Sequence, residues 1–222
     1  MIRNERVEMR RFAGFLTGFP QIAARVVVAL PMMTVPAAAP AMIALTALPL
    51  ATLPIAPALA DQKDSRLTPL FDALQKAGSP EEAQTIETII WSIWGQTGDH
   101  ELDMLLLEGS MAMANDNYDI AMRDFNEVVK RAPNFAEGWN KRATLYFLMG
   151  NYMASLSDID KTLALEPRHF GALAGLGLIN LQMDRDQAAL DAFQRVLKID
   201  PMNAAARTNA EIVKHRLGDE AI

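Results

Sequence analysis

The sequence predicts an all-α fold made by stacking a repeated helical unit. Three observations carry this prediction. Pro133, Pro167 and Pro201 stand 34 residues apart. Each closes a similar run: "NEVVKRAP", "DKTLALEP" and "QRVLKIDP". Overlaying the runs divides the chain into units 102–135, 136–169 and 170–203, in which small and aromatic residues recur at fixed places. A single unit of this size cannot bury its own apolar face, so it stacks on its neighbours.

The middle unit reads "AEGWNKRATLYFLMGNYMASLSDIDKTLALEPRH", with Trp139, Ala143 and Tyr146 early, Gly150-Asn151-Tyr152 at a turn, and Ile159, Leu163 and Pro167 late. Leu105, Gly109, Ala121, Phe125, Val128 and Pro133 hold the matching places in the first unit. In the third they are Leu173, Leu176, Gly177, Ala189, Phe193, Val196 and Pro201. This pattern closely resembles the tetratricopeptide repeat family. The resemblance implies two antiparallel helices per unit and a right-handed superhelical stack, an α-solenoid, over 102–203. Glu108, Arg142, Ser155 and Asp184 depart from the family's usual residues.

The elements follow in order. Leu67, Leu70, Phe71 and Leu74 lie at helical spacing, with Thr68-Pro69 as a helix start. Ser79-Pro80-Glu81-Glu82 reads as a capping box. It opens a helix whose apolar face is Ala83, Ile86, Ile90, Ile93 and Trp94. Residues 61–98 are therefore expected to form a degenerate unit before the first repeat. Inside the repeats, Gly109, Ala143 and Gly177 let paired helices approach opposite Ala121, Ser155 and Ala189. Trp139, Tyr146, Phe125 and Phe193 fill the space between helices. Asn115-Asp116-Asn117, Gly150-Asn151 and Asp184-Arg185 suit turns, and each proline ends a second helix. Residues 204–222 read as a capping helix, with Lys214, His215 and Arg216 suited to its C-terminal dipole and Gly218 to its stop.

Composition narrows the function classes. Half of the 222 residues are apolar, enough for the core of one ordinary domain. The absence of cysteine excludes disulfides, thiolate metal sites, a cysteine nucleophile and a lipidated N-terminal cysteine. Arg3, Arg6, Arg10 and Arg11 precede a stretch from Phe12 to Ala60 whose only charge is Arg25, and Ala58-Leu59-Ala60 ends it. This is the pattern of an export signal cleaved after Ala60, with delivery to a bacterial periplasm. The segment is long for a signal. The rival is an inner-membrane anchor over about residues 22–44, facing the periplasm, although Pro31, Pro36 and Pro40 interrupt it. Membrane contact is expected only under that rival. The first 60 residues hold five of the 21 Lys and Arg and two of the 27 Asp and Glu, so the remainder carries a net charge of −9. That balance argues against nucleic acid as a partner.

No catalytic, cofactor or metal site emerges. His100, His169 and His215 lie far apart in sequence. His100 sits in "GDHELD", where Asp99 as a helix cap accounts for the acids better than a metal cluster does. His169 is expected to be a surface or packing residue. Asp158 and Asp160 are two apart and point to different helix faces. The expected function is therefore binding, as a non-enzymatic scaffold or adaptor for a protein or peptide. A membrane-tethered assembly factor, or a subunit of an envelope enzyme complex, is the alternative.

In the resembled family the first helices of the units line a concave groove. Carried over, this implies Leu106, Ser110 and Met113, then Asn140, Lys141, Thr144, Phe147 and Leu148, then Leu178, Leu181 and Gln182. A largely apolar groove suits an amphipathic helix or an apolar peptide. Occupation by the same chain or by self-association is the other reading. Some relatives clamp a terminal carboxylate with Lys, Asn and Arg. The matching places here hold Leu106, Ser110, Lys141, Gly171 and Gly175, so no such clamp is expected. Lys141 is expected at a solvated rim on the groove side. Arg142 is expected to lay its stem on the core and meet Asp124 or Asp158. Phe147→Asp and Leu178→Asp are expected to weaken capture without changing the melting temperature.

Overall fold

The structure, a computed structural model, describes residues 62–219. The signal and anchor readings rest on residues 1–60 and lie outside the described residues. Nine helices make up the described fold: α1 Leu67–Gln75, α2 Pro80–Trp94, α3 His100–Ala114, α4 Tyr118–Arg131, α5 Ala136–Leu148, α6 Tyr152–Leu165, α7 Phe170–Gln182, α8 Asp186–Ile199 and α9 Ala204–Asp219. From α3 to α9 each helix packs on the next, which is the predicted stack of helical hairpins. Among the described residues no helix is long and apolar enough to cross a membrane.

The helix starts follow from the capping residues. Ser79 Oγ accepts from the Glu82 N–H at 3.2 Å, and Pro80 fills the first turn. Asp99 Oδ1 accepts from the N–H groups of Glu101 and Leu102, the capping role expected beside His100. The turns inside the three repeats are built alike. Asp116, Gly150 and Asp184 occupy the same place in successive units, with φ of 59°, 75° and 53°. Each is followed by a closing bond of 2.8 Å: Asn117 N to Ala112 O, Asn151 N to Tyr146 O, and Arg185 N to Asn180 O. A short polar side chain tolerates the left-handed backbone, so aspartate serves in two repeats where the middle one has Gly150.

Small residues set the spacing within the hairpins. A Cβ on Gly177 would lie 2.5 Å from Phe193 Cε1, and one on Gly109 would lie 2.7 Å from Phe125 Cε1. Both phenylalanines are fully buried. In the middle repeat Ser155 Oγ donates to Ala143 O at 2.7 Å, so a hydroxyl meets the backbone at that crossing. Gly177→Leu forces side-chain carbons into the Phe193 ring and is expected to lower the unfolding free energy by about 1–3 kcal/mol. Urea denaturation of the purified variant checks it.

The helix pair α1–α2 lies along the turns that join the repeats. Near its start, Gln62 Nε2 donates to Asn134 O and its Oε1 accepts from the Ala136 N–H, both at the α4–α5 turn. Midway, the Arg168 guanidinium of the α6–α7 turn sits 4.3 Å over the Phe71 ring. At its end Gln75 Nε2 donates to Lys198 O on α8. Helix α2 then returns from Asn203 in the α8–α9 turn, which donates to Glu87, to the start of α7, where Trp91 and Trp94 pack on Phe170. The pair thus acts as a strap touching the same kind of turn in successive units. Its apolar face, including Leu67, Phe71, Leu74, Ile90 and Ile93, belongs to one core cluster with Phe170, Leu173 and Val213.

Candidate functional site

Helices α3, α5 and α7 carry the expected groove residues, and the structure divides them. Leu106 and Met113 are buried with Phe125, Phe135 and Leu145. Ser110 is half-buried, and its Oγ donates to Leu106 O at 2.6 Å. Thr144 Oγ1 donates to Asn140 O at 3.0 Å, and both residues are buried. Phe147 and Leu178 are also buried. Phe147 meets the Tyr152 ring and shares a narrow gap with Ile159, Gly171 and Gly175. Leu148 and Leu181 are half-buried, and Ala114 and Gln182 are exposed. Access therefore remains at the last residues of α3, α5 and α7, Ala114, Leu148, Leu181 and Gln182, while Met113 and Phe147 just before them are core.

The N-terminal ends of α5 and α7 hold a buried polar network instead. Lys141 Nζ lies 3.3 Å from Glu137 Oε1, and both side chains are only 3% exposed. Asn140 Nδ2 donates to Glu137 Oε2 at 2.9 Å, and His169 Nε2 lies 3.0 Å from the same oxygen. The Ala172 N–H donates to His169 Nδ1, so Nε2 carries the proton given to Glu137. Burial pushes the Glu137 carboxyl up. The Lys141 charge, then the hydrogen bond from His169, and then that from Asn140 outweigh it and hold the group below its ordinary range. Trp94 of the strap stacks on the His169 ring at 4.2 Å and 8°. Lys141 is therefore not the solvated rim residue that the sequence implied, because a carboxylate one helical turn earlier draws it inward.

Arg142 behaves as its register implies. It grips Asp158 with two bonds, 2.7 Å from Nε and 2.9 Å from an Nη, and reaches Asn126 on α4 at 2.8 Å. Its guanidinium lies 4.9 Å from the Trp139 ring centre. It is an inter-repeat tie, not a ligand-binding cation.

A second acid site fixes the strap. Glu87 of α2 faces Asp200, a fully buried residue in the α8–α9 turn. Both line a cleft of about 340 Å³ with Gln84, Met202 and Ala204. Asp200 Oδ2 has no hydrogen-bond donor of the usual kind, and Asn203 Nδ2 donates to Glu87 Oε1 at 3.3 Å. Burial, followed by the hydrogen bond and charge of Asp200, pushes the Glu87 carboxyl up to about 8. Glu87 therefore holds a proton at neutral pH and gives it to Asp200. The unfolded chain releases that proton near 4.5, so this contribution is whole below about 4.5 and is lost as pH rises to about 8. Glu87→Gln supplies a permanent donor. It is expected to gain about 1–3 kcal/mol over the wild type on going from about pH 5 to pH 8.5, after allowing for solvent in the cleft. Paired urea titrations at the two pH values measure this, and equal pH slopes would contradict proton sharing.

Among the described residues no group of three or more His, Asp or Glu is placed to hold a metal ion. Comparison with known proteins matches the stack. A family model described as tetratricopeptide repeat matches residues 140–204. A TPR repeat-containing protein of Rhizobium etli is 36% identical over 152 residues, covering 68% of this chain and 74% of the relative. The chain belongs to the tetratricopeptide repeat family. Small glutamine-rich tetratricopeptide repeat-containing protein 2 of Saccharomyces cerevisiae is 28% identical over 45% of this chain, which spans only 29% of that relative. The crystal structure of the Sgt2 TPR domain from Aspergillus fumigatus superposes with a TM-score of 0.53 at 22% identity. It covers 55% of this chain and 83% of its own, and so shares the fold. The network of Glu137, Asn140, Lys141 and His169 lies at the starts of α5 and α7, two of the helices that carry the expected groove residues. The sequence signal for it was Glu137 one turn before Lys141, a spacing that favours an ion pair.

Proposed function

We propose that this chain is a non-enzymatic adaptor of the bacterial cell envelope that holds a protein partner. The partner lies along the C-terminal ends of α3, α5 and α7, where Ala114, Leu148, Leu181 and Gln182 leave a partly apolar, partly polar rim. The observation that carries this is the division of the helix row: the strap and the buried network take up one end, and this end remains accessible. Membership of a family of helical-repeat proteins supports a binding role. An amphipathic helix or apolar peptide suits the rim because Leu148 and Leu181 supply packing and Gln182 a hydrogen-bonding edge. The export reading places the adaptor in the periplasm after cleavage following Ala60. The anchored alternative keeps residues 22–44 in the inner membrane.

Two measurements test the proposal. The N-terminal mass of the protein from its own cell separates the placements, since a chain beginning near Asp61 sinks the anchor. A photo-crosslinker at Gln182 is expected to trap a discrete envelope protein. Joint Leu148→Asp and Leu181→Asp substitution should remove that adduct, with a loss of about tenfold or more in capture. Retention of the adduct in the folded double variant would refute the rim as the binding surface.

A further inference from the structure

The outer face of α3 is built like an interface with nothing described upon it. Met104, Leu107, Glu108 and Met111 form one stripe at i, i+3, i+4 and i+7. Met104, Leu107 and Met111 are 40%, 42% and 58% exposed. The same unit places are covered in the later repeats. Gly138 and Ala172 match Met104, and Leu145 and Ile179 match Met111; all four are buried. On α5 what covers them is α4, the second helix of the preceding unit. A Cβ on Gly138 would lie 2.8 Å from Val128 Cγ1 of α4, and Arg142, which matches Glu108, reaches Asn126 of α4. The strap, whose described contacts run to the joining turns, to α7 and to α8, is committed elsewhere.

We propose that this face receives a basic amphipathic helix of a partner protein, seated on α3 as α4 is seated on α5. This rests on the adaptor reading only in taking the partner to be a protein, and it adds a second docking surface away from the rim. The repeat register fixes the helix and its apolar stripe, since the matching places are filled by helix α4 through Val128 and Val129. Charge fixes the sign. Helix α3 carries Glu101, Asp103 and Glu108 and no lysine or arginine. Glu101 is held by Arg131, and Asp103 accepts from Thr97. Glu108 is left as the acid inside the stripe. A second copy of this chain is the poorer occupant. The stripe is symmetric about the point between Leu107 and Glu108, so a two-fold pairing brings Glu108 beside its own counterpart.

The test uses the full chain and two labelled synthetic helices of about 18 residues. Both carry leucine at i, i+3, i+4 and i+7; one has lysine on the flanks and the other glutamate. The lysine helix is expected to bind the wild type by fluorescence anisotropy. Met111→Lys should weaken it by about tenfold or more. Met153→Lys, at an exposed methionine of α6, makes the same charge change elsewhere and should leave it unchanged. Glu108→Lys should shift preference to the glutamate helix. The Leu148→Asp, Leu181→Asp double variant should still bind, so failure of the rim and failure of this face are told apart. Equal weakening by Met111→Lys and Met153→Lys would reduce the effect to net charge and overturn the proposal. So would no binding to the wild type, or a wild-type dimer that Met111→Lys dissociates, which would make a second copy the occupant.

Discussion

Glu137→Ala is expected to lower the unfolding free energy by about 3–5 kcal/mol. The substitution takes away the carboxylate that Lys141, Asn140 and His169 all face, while the ammonium group stays in the core. Breaking one side of a buried ion pair costs more than the pair contributes, because the remaining charge keeps its desolvation penalty. The effect reaches the strap as well, since the His169 ring that Trp94 covers loses its Nε2 partner. Joint replacement by Glu137→Leu and Lys141→Met removes both charges and should recover most of the loss. Urea unfolding of the single and double variants checks both statements. A double variant no better than the single would mean that packing at these positions, not the charge, carries the cost.

Phe147→Asp and Leu178→Asp are expected to cost several kcal/mol each and to leave much of the chain unfolded at ambient temperature. Both residues are buried in the main core cluster, so each change replaces packed apolar surface with a carboxylate lacking a counter-charge. This reverses the effect expected from the repeat register alone, which placed the two residues on an open groove. Circular dichroism and melting of the two variants decide the matter: wild-type melting temperatures would show that these side chains face solvent. The contrast with Leu148→Asp and Leu181→Asp is informative. Those positions are half-buried one or a few residues further along the same helices, and should affect capture before stability.

The reason Phe147 could not be placed from sequence lies in its neighbours. Gly171 and Gly175 present no side chains where α7 passes it. Register says which way a residue points and not how closely the next helix approaches. Trp91 and Gly171 show the same limit. A Cβ on Gly171 would lie 2.6 Å from Trp91 Cη2, a contact across 80 residues that no local pattern encodes. Lys141 was legible as an amphiphile near the groove. Its burial depends on Glu137, Asn140 and His169 converging from two helix starts. Arg142 was the opposite case. Its position in the unit put it at the inter-helix seam with Asp124 or Asp158 as its partner, and the structure selects Asp158 while Asp124 pairs with Arg123.

The sequence by itself determined the all-α stack, because a period of 34 residues with prolines, polar turns and small residues in register leaves few other ways to bury the apolar faces. It also determined the turns, where aspartate or glycine at one unit position takes the left-handed backbone. The tertiary structure alone decided where α1 and α2 go. Their amphipathic faces fit a preceding repeat as well as they fit a strap, and only long-range contacts separate the two: Trp94 on His169, Phe71 on Arg168, and Glu87 on Asn203. Local propensity sets which residues face inward on a helix. Which surface that face then buries depends on side chains far away in the chain, and that choice set Trp94 on His169 and, among the described residues, left the outer stripe of α3 exposed.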